Sequence, residues 1–272
     1  MSVSLDQIVS ATRRRVARAR QDADLRALER LAEAHAPRGF RQSLAGKSGA
    51  DVAIIAELKK ASPSRGLIRA GFDPGSLARE LETAGAAALS VLTDEKFFLG
   101  SLQNLQLAST STKLPCLRKD FILDEFQLLE ALAYGADAVL LIVAALSQEE
   151  LVGLAMQSRG YALDVLCEVH DEGELQRALD AGCNLIGVNN RDLRTFQVDL
   201  NTALRMAECI PSHVVSVAES GIESGHDIAR LRGAGYQAFL IGESLMRAQS
   251  PGGALRTLQD QAKTPAPLST RN

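Results

Sequence analysis

The sequence predicts an α/β fold, a (β/α)8 TIM barrel preceded by an N-terminal helical extension. Three observations predict it. Short β-branched runs alternate with longer amphipathic runs along most of the 272 residues. Eight such pairs fit, the number that closes a parallel barrel of about 250 residues. Several of the short runs are apolar without a break, as in Ala138-Val139-Leu140-Leu141-Ile142-Val143, which is how a strand covered on both faces reads. The longer runs end in recurring glycine phrases, Ala84-Gly85-Ala86, Tyr134-Gly135-Ala136-Asp137 and Ala181-Gly182-Cys183-Asn184, where glycine can close a helix in the left-handed conformation. A doubly wound open sheet is the alternative, but no G-x-G-x-x-G turn follows the first strand, as a dinucleotide-binding version would require.

Taken in order, residues 1–45 form the extension. Leu5, Ile8, Val9, Thr12 and Val16 recur at helical spacing, which predicts one or two helices packed on the barrel. Arg13, Arg14, Arg15, Arg18 and Arg20 fall mostly on the other faces and read as a solvated helix surface. Strands follow near 52–58, 88–92, 115–118, 137–143, 163–169, 184–189, 213–218 and 237–241, with helices such as the one through Glu125-Phe126-Gln127-Leu128-Leu129-Glu130 between them. The barrel is assigned to 46–262, its last helix near 253–262. A polar tail with two prolines, 263–272, is expected to be mobile.

Composition narrows the function. The hydrophobic content of 46% allows a large core, and 30 basic against 33 acidic residues give a net charge of −3. Such a balance offers no general attraction to nucleic acid or an anionic membrane. No apolar run approaches the ~20 residues of a membrane span, and Asp6, Asp22 and Asp24 break up the N-terminal basic run, against a transit segment. Cys116, Cys167, Cys183 and Cys209 have no C-x-x-C spacing, and the four histidines are dispersed. No metal site is therefore expected, and the first three cysteines read as small buried hydrophobes of a reducing compartment. A cytoplasmic monomer without a cofactor is the expectation.

In a parallel barrel, functional groups gather at the C-terminal ends of the strands. Side chains alternate along a strand, so the first strand sends Ile55, Glu57 and Lys59 to one face. The third gives Lys119 in phase with Leu117, and the fifth gives Glu168 in phase with Leu166. The sixth gives Asn189 and Arg191, the seventh Ser220, and the eighth a glycine turn at Gly242-Glu243-Ser244. Any one of these reads equally well as a structural ion pair at the rim. Two carboxylates and two ammonium groups in one water-poor mouth would instead shift each other's pKa values and divide into acids and bases. The turns Ser220-Gly221-Ile222 and Gly242-Glu243-Ser244 fit a barrel phosphate site, in which backbone N–H groups cradle the anion. Ser62 and Ser64 are further hydroxyl donors, or ordinary turn residues around Pro63.

Together these phrases resemble the indole-3-glycerol-phosphate synthase family. The resemblance runs through Glu57-Leu58-Lys59-Lys60-Ala61-Ser62-Pro63-Ser64-Arg65-Gly66, Ser90-Val91-Leu92-Thr93-Asp94, Leu117-Arg118-Lys119-Asp120-Phe121-Ile122 and Cys167-Glu168-Val169-His170. It continues in Gly187-Val188-Asn189-Asn190-Arg191-Asp192-Leu193, Ala218-Glu219-Ser220-Gly221-Ile222 and Leu240-Ile241-Gly242-Glu243-Ser244-Leu245-Met246. It implies a phosphorylated small-molecule substrate, 1-(2-carboxyphenylamino)-1-deoxyribulose 5-phosphate, which undergoes ring closure, decarboxylation and dehydration without a cofactor. It also implies Lys119 as the acid of ring closure, Glu57 and Lys59 for dehydration, and Glu168 as the orienting or charge-stabilising carboxylate. Asn189, Arg191 and Ser220 would then position the substrate. Phosphate would sit on Gly221, Gly242 and Glu243 with Lys59 or Ser62, and Ser64, nearby, and the aryl ring against Phe97, Phe98, Phe121 and Leu140, although core packing explains those four as well. The extension would cover the mouth. A fused isomerase domain, present in some family members, is not expected. The rival readings are a sugar-phosphate isomerase on the same barrel, usually built on one acid and one base, and a catalytically silent scaffold.

Overall fold

The structure is a computed structural model, and it describes residues 4–45, 52–193 and 195–263. Eight parallel strands close a barrel: β1 (Ala53–Leu58), β2 (Ala88–Leu92), β3 (Cys116–Lys119), β4 (Ala138–Ile142), β5 (Asp164–Val169), β6 (Leu185–Asn189), β7 (Val215–Glu219) and β8 (Ala238–Ile241). Each strand pairs with its sequence neighbours, and β8 closes onto β1 through Ala53↔Ala238 and Ala56↔Ile241. The strands are almost wholly buried, in keeping with their unbroken apolar runs. Gly85, Gly135, Gly182 and Gly235 all have positive φ where helices end, as the repeated phrases predict.

One boundary matters for the site. β7 begins at Val215 because Val214 N first closes a turn onto Pro211 O at 3.0 Å. The strand ends at Glu219, one residue beyond the expected 218.

Alternation along β3 separates two chemistries. Lys119 faces the mouth, while Arg118 points outward into the helix layer with no exposed surface. A buried guanidinium needs partners on every side. Arg118 finds them in Glu130 Oε2 at 3.1 Å, Asp120 Oδ2 at 3.2 Å, Thr93 Oγ1 at 3.2 Å and the Gln127 carbonyl at 2.7 Å. This network fixes the end of β3 beside Lys119.

The extension holds three helices rather than one or two. They are α1 (Leu5–Asp22), α2 (Leu25–Glu33) and α3 (Phe40–Ala45). α1 starts with a capping box at Ser4 and Gln7, which satisfies end N–H groups reciprocally. Its apolar stripe lies on the top of the barrel. α3 buries Phe40 and Leu44 completely against β1, β2 and β7. The arginines of α1 are only partly the solvated face that the sequence suggests. Arg15 reaches Asp120 at 3.0 Å, Arg13 reaches Glu150 at 2.8 Å and Arg20 reaches Asp124 at 3.4 Å. All three partners come from segments that follow β3 or β4, so sequence spacing alone could not pair them.

The remaining major helices are α4 (Pro74–Thr83), α5 (Glu95–Phe98), α6 (Leu102–Thr110), α7 (Phe126–Ala133), α8 (Gln148–Gly160), α9 (Glu172–Asp180), α10 (Asn201–Met206), α11 (Gly225–Gly233), α12 (Glu243–Arg247) and α13 (Pro251–Lys263). The expected tail lies outside the described residues beyond Lys263, and so do barrel residues 46–51. Among the described residues no helix is long and apolar enough to cross a membrane.

Candidate active site

A cavity of about 910 Å³ opens at the C-terminal ends of the strands. Lys119 stands at its centre. Its Nζ donates to Glu168 Oε2 at 2.7 Å and to Glu219 Oε2 at 3.1 Å. Both carboxylates are buried, and the Lys119 side chain is 13% exposed, toward the cavity. Burial alone would lower the Lys119 pKa, but Glu168, Glu219 and Glu57 outweigh it and hold the ammonium far above its usual range. Glu168 feels the same burial in the opposite sense, and Lys119 and His170 overcome it, bringing the carboxyl down to about 2. Glu219 goes the other way. Burial, reinforced by the negative charge of Glu168 and Glu57, pushes it up to about 7 against the attraction of Lys119. Two carboxylates around one ammonium thus separate into a permanent anion and a group that exchanges its proton near neutral pH.

Glycine makes this convergence possible. Gly187 of β6 lies between β5 and β7, and a Cβ there would overlap Glu219 Oε1. On the other side of the mouth Gly242 has the same task, since a Cβ would collide with the Glu57 side chain. Glu57 then meets Lys59, whose Nζ lies 2.6 Å from Glu57 Oε1. Both line the cavity.

Asn189 donates from Nδ2 to Glu168 Oε1 at 3.0 Å and accepts the Arg191 N–H on Oδ1 at 3.0 Å. The Arg191 guanidinium lines the cavity and also donates to the Phe196 carbonyl at 3.1 Å, bracing the segment after β6. After β7, Ser220 and Gly221 both adopt left-handed φ, 65° and 76°. For serine this conformation is costly, and neighbouring bonds hold it: Asn190 Nδ2 donates to the carbonyls of Glu219 at 3.0 Å and Ser220 at 3.1 Å. Gly221 must be glycine on packing grounds too, because a Cβ would strike Val198 Cγ1.

Among the residues expected at phosphate, Ser62 and Ser64 lie on a small hairpin of Ala61–Ser62 with Gly66–Leu67, their hydroxyls 3.5 Å apart. Both line the cavity with Ser220, Gly221 and Gly242. Glu243 is also on the wall, but its carboxylate is engaged by Arg65 at 3.0 Å and Arg247 at 3.3 Å. The next residue, Ser244, offers a buried hydroxyl without a hydrogen-bond partner. Ser244 is thus the better placed donor of that turn.

Of the aryl-pocket candidates, Phe121, Leu140 and Phe98 line the cavity and Phe97 does not. In the short helix α5 consecutive side chains diverge by about 100°, so only one of the pair can face inward. Phe97 lies instead under Lys96, whose Nζ is 5.2 Å from the ring centroid. Leu5 and Ile8 of α1 complete the apolar side of the wall.

The sequence pattern names the Ser244 turn but does not mark Glu219, Gly187 or Asn190. Glu219 was discoverable, since Val215, Val217 and Glu219 alternate on one face, and the expected strand end simply put the turn residue in its place. Gly187 and Asn190 act through a close approach and buried hydrogen bonds between β6 and the end of β7, which no local pattern reveals. Among the described residues no group of three or more His, Cys, Asp or Glu is arranged to hold a metal ion.

The family model described as indole-3-glycerol phosphate synthase matches residues 5–258. A protein of that name from Koribacter versatilis (strain Ellin345) is 59% identical over 258 residues, 95% of this chain and 99% of the relative. Another from Desulfotalea psychrophila (strain LSv54 / DSM 12343) is 48% identical over 260 residues, with 95% and 99% covered. Among solved structures, a 3-hexulose-6-phosphate synthase superposes with a TM-score of 0.62 at 14% identity, over 77% of this chain and 99% of that one, a likeness of fold alone. With the family model spanning the barrel and its mouth, and near-full-length relatives of the same name, this chain belongs to the indole-3-glycerol phosphate synthase family.

Proposed function

We propose that the cavity converts 1-(2-carboxyphenylamino)-1-deoxyribulose 5-phosphate to indole-3-glycerol phosphate with the following division of labour. The observation that carries it is Lys119 clasped by two buried carboxylates of opposite protonation behaviour. Ring closure places negative charge on the substrate ketone oxygen. Lys119 donates its proton there, and Glu219, beside it, shares and restores that proton. Glu168 stays anionic and stabilises positive charge developing on the ring nitrogen. CO2 then leaves and restores the aromatic system. For dehydration, Glu57 takes the carbon-bound proton and Lys59 protonates the departing hydroxyl.

Asn189 and Arg191 orient the carboxylate and sugar hydroxyls. Ser220, Gly221, Gly242 and Ser244 hold the phosphate, with Ser62 and Ser64 closing from the hairpin. The aryl ring lies toward Phe98, Phe121 and Leu140 beneath α1. Bending the extended substrate so that its aryl carbon meets the ketone supplies much of the rate gain, and acid–base transfer adds ~10²–10⁴-fold per group. We assign the chain to the cytoplasm, as a monomer acting without cofactor on a small phosphorylated substrate and without nucleic-acid or membrane partners. The pairing of two Glu–Lys units disfavours a sugar-phosphate isomerase, which needs a single acid–base pair.

The test uses the absence of tryptophan, which leaves three tyrosines as the background emitters. Purified enzyme mixed with the substrate in the presence of a metal chelator should give a catalytic rise in indole emission. Folded protein that binds the substrate without any rise would contradict the assignment.

A further inference from the structure

His170 follows β5 and takes no part in the steps above, nor does it line the cavity. Its surroundings are nevertheless built around its two ring nitrogens. Nδ1 lies 2.9 Å from Glu174 Oε2, and the same oxygen accepts the His170 backbone N–H at 2.8 Å. Nε2 points the other way. It is buried, forms no hydrogen bond, and lies 3.5 Å from Glu168 Oε1. That oxygen already accepts from Asn189, and its twin Oε2 accepts from Lys119. Glu168 is therefore flanked by two nitrogens able to carry charge, Lys119 on the substrate side and His170 behind.

We propose that His170 is a positioning residue that carries a positive charge on the far side of Glu168 and keeps this carboxylate anionic while Lys119 has lent its proton to the substrate. The inference deepens the reading above and rests on it. When Lys119 Nζ gives its proton to the ketone oxygen it becomes a neutral amine. Glu168 then loses its principal counter-charge inside a buried site, where an isolated carboxylate is strongly disfavoured. Without a second cation Glu168 would capture a proton and lose the charge that stabilises the ring nitrogen. His170 supplies that cation and gives up no proton itself.

The groups that face His170 are Glu168 from β5, Glu174 from α9 and Glu219 from β7, with Lys119 from β3 beyond them. Burial would lower the pKa of His170, but the bond to Glu174 and the charges of Glu168, Glu174 and Glu219 outweigh it, and the net direction is upward. Glu174 thus holds the imidazolium, and the imidazolium holds Glu168.

The test combines two variants with two readouts. His170→Gln keeps an amide donor near the Nε2 position and removes the charge. Glu174→Gln keeps a hydrogen-bond partner for Nδ1 and removes the anion that holds the proton. In enzyme labelled at histidine Cε1, four resonances are expected, and the one missing from His170→Gln belongs to His170. It should titrate above the ordinary histidine value and move down in Glu174→Gln. In steady state, His170→Gln should lower kcat about tenfold, the effect of one pKa unit at one site, with KM nearly unchanged. The alkaline limb of kcat should move to lower pH in Glu174→Gln, and the part due to His170 should vanish in His170→Gln.

A His170 resonance titrating at or below the ordinary value would overturn the proposal. So would wild-type kcat in folded His170→Gln, or a uniform loss in both variants with the limb unmoved. Should His170→Gln fail to fold, the Glu174→Gln limb and resonance shift decide the matter. Should the wild-type enzyme form no indole product, the proposed function fails instead, and the resonance still reports whether His170 holds the charge.

Discussion

Glu219 is the residue at which stability and chemistry pull apart. Its folded pKa of about 7 lies above the 4.5 of a free glutamate, so between those values the native state keeps a proton that the unfolded chain has released. Stability from this group is complete below pH 4.5 and is lost as pH rises through 7. Glu219→Gln mimics the protonated form. It should raise the thermal midpoint by a few degrees at pH 8 and leave it unchanged near pH 4, as scanning calorimetry at the two pH values would show. The same change should cut kcat at least about 10²-fold, because Lys119 loses its proton-exchanging neighbour. Glu168 has the opposite sign. With its pKa brought down to about 2, it contributes stability above pH 4.5 that is lost as the pH falls toward 2.

Among the elements, the hairpin after β1 and the start of α12 meet through the ion pair of Arg65 with Glu243, 3.0 Å long, with the arginine exposed and the glutamate partly so. The contact ties the hairpin of Ser62 and Ser64 to the Gly242 turn, the wall proposed to hold phosphate. Exposed pairs are worth roughly 0–1 kcal/mol, which sets the scale of the effect. Arg65→Ala should raise KM by up to about fivefold with kcat unchanged. The difference should shrink at high salt, where screening weakens the pair in the parent enzyme. KM measured at two ionic strengths decides this, and a fall in kcat instead would mean that the hairpin positions the reacting groups. α1 reaches the mouth from the opposite side. Its arginines pair with residues around β3 and β4, and Leu5 and Ile8 line the cavity.

For the whole molecule, the barrel was legible because its information is local. Apolar runs mark strands, glycine phrases mark helix ends, and polar residues in phase with a buried face mark the mouth, which is how Glu57, Lys59, Lys119 and Glu168 emerge from sequence alone. What escaped depends mostly on close contacts between the paired strands β6 and β7. Glu219 was passed over because the expected strand stopped at 218, one residue short of it. Gly187 matters only because Glu219 fills its missing side chain, and Phe97 gave way to Phe98 because helical rotation admits one of them. The central claim is that Lys119, between Glu168 and Glu219, supplies the proton for ring closure, while Lys59 serves the later dehydration. Single-turnover reactions of Lys119→Ala and Lys59→Ala, quenched and analysed for substrate, ring-closed intermediate and product, test it directly. The account predicts unreacted substrate in Lys119→Ala and accumulated ring-closed intermediate in Lys59→Ala; equal accumulation of the intermediate in both variants would contradict it.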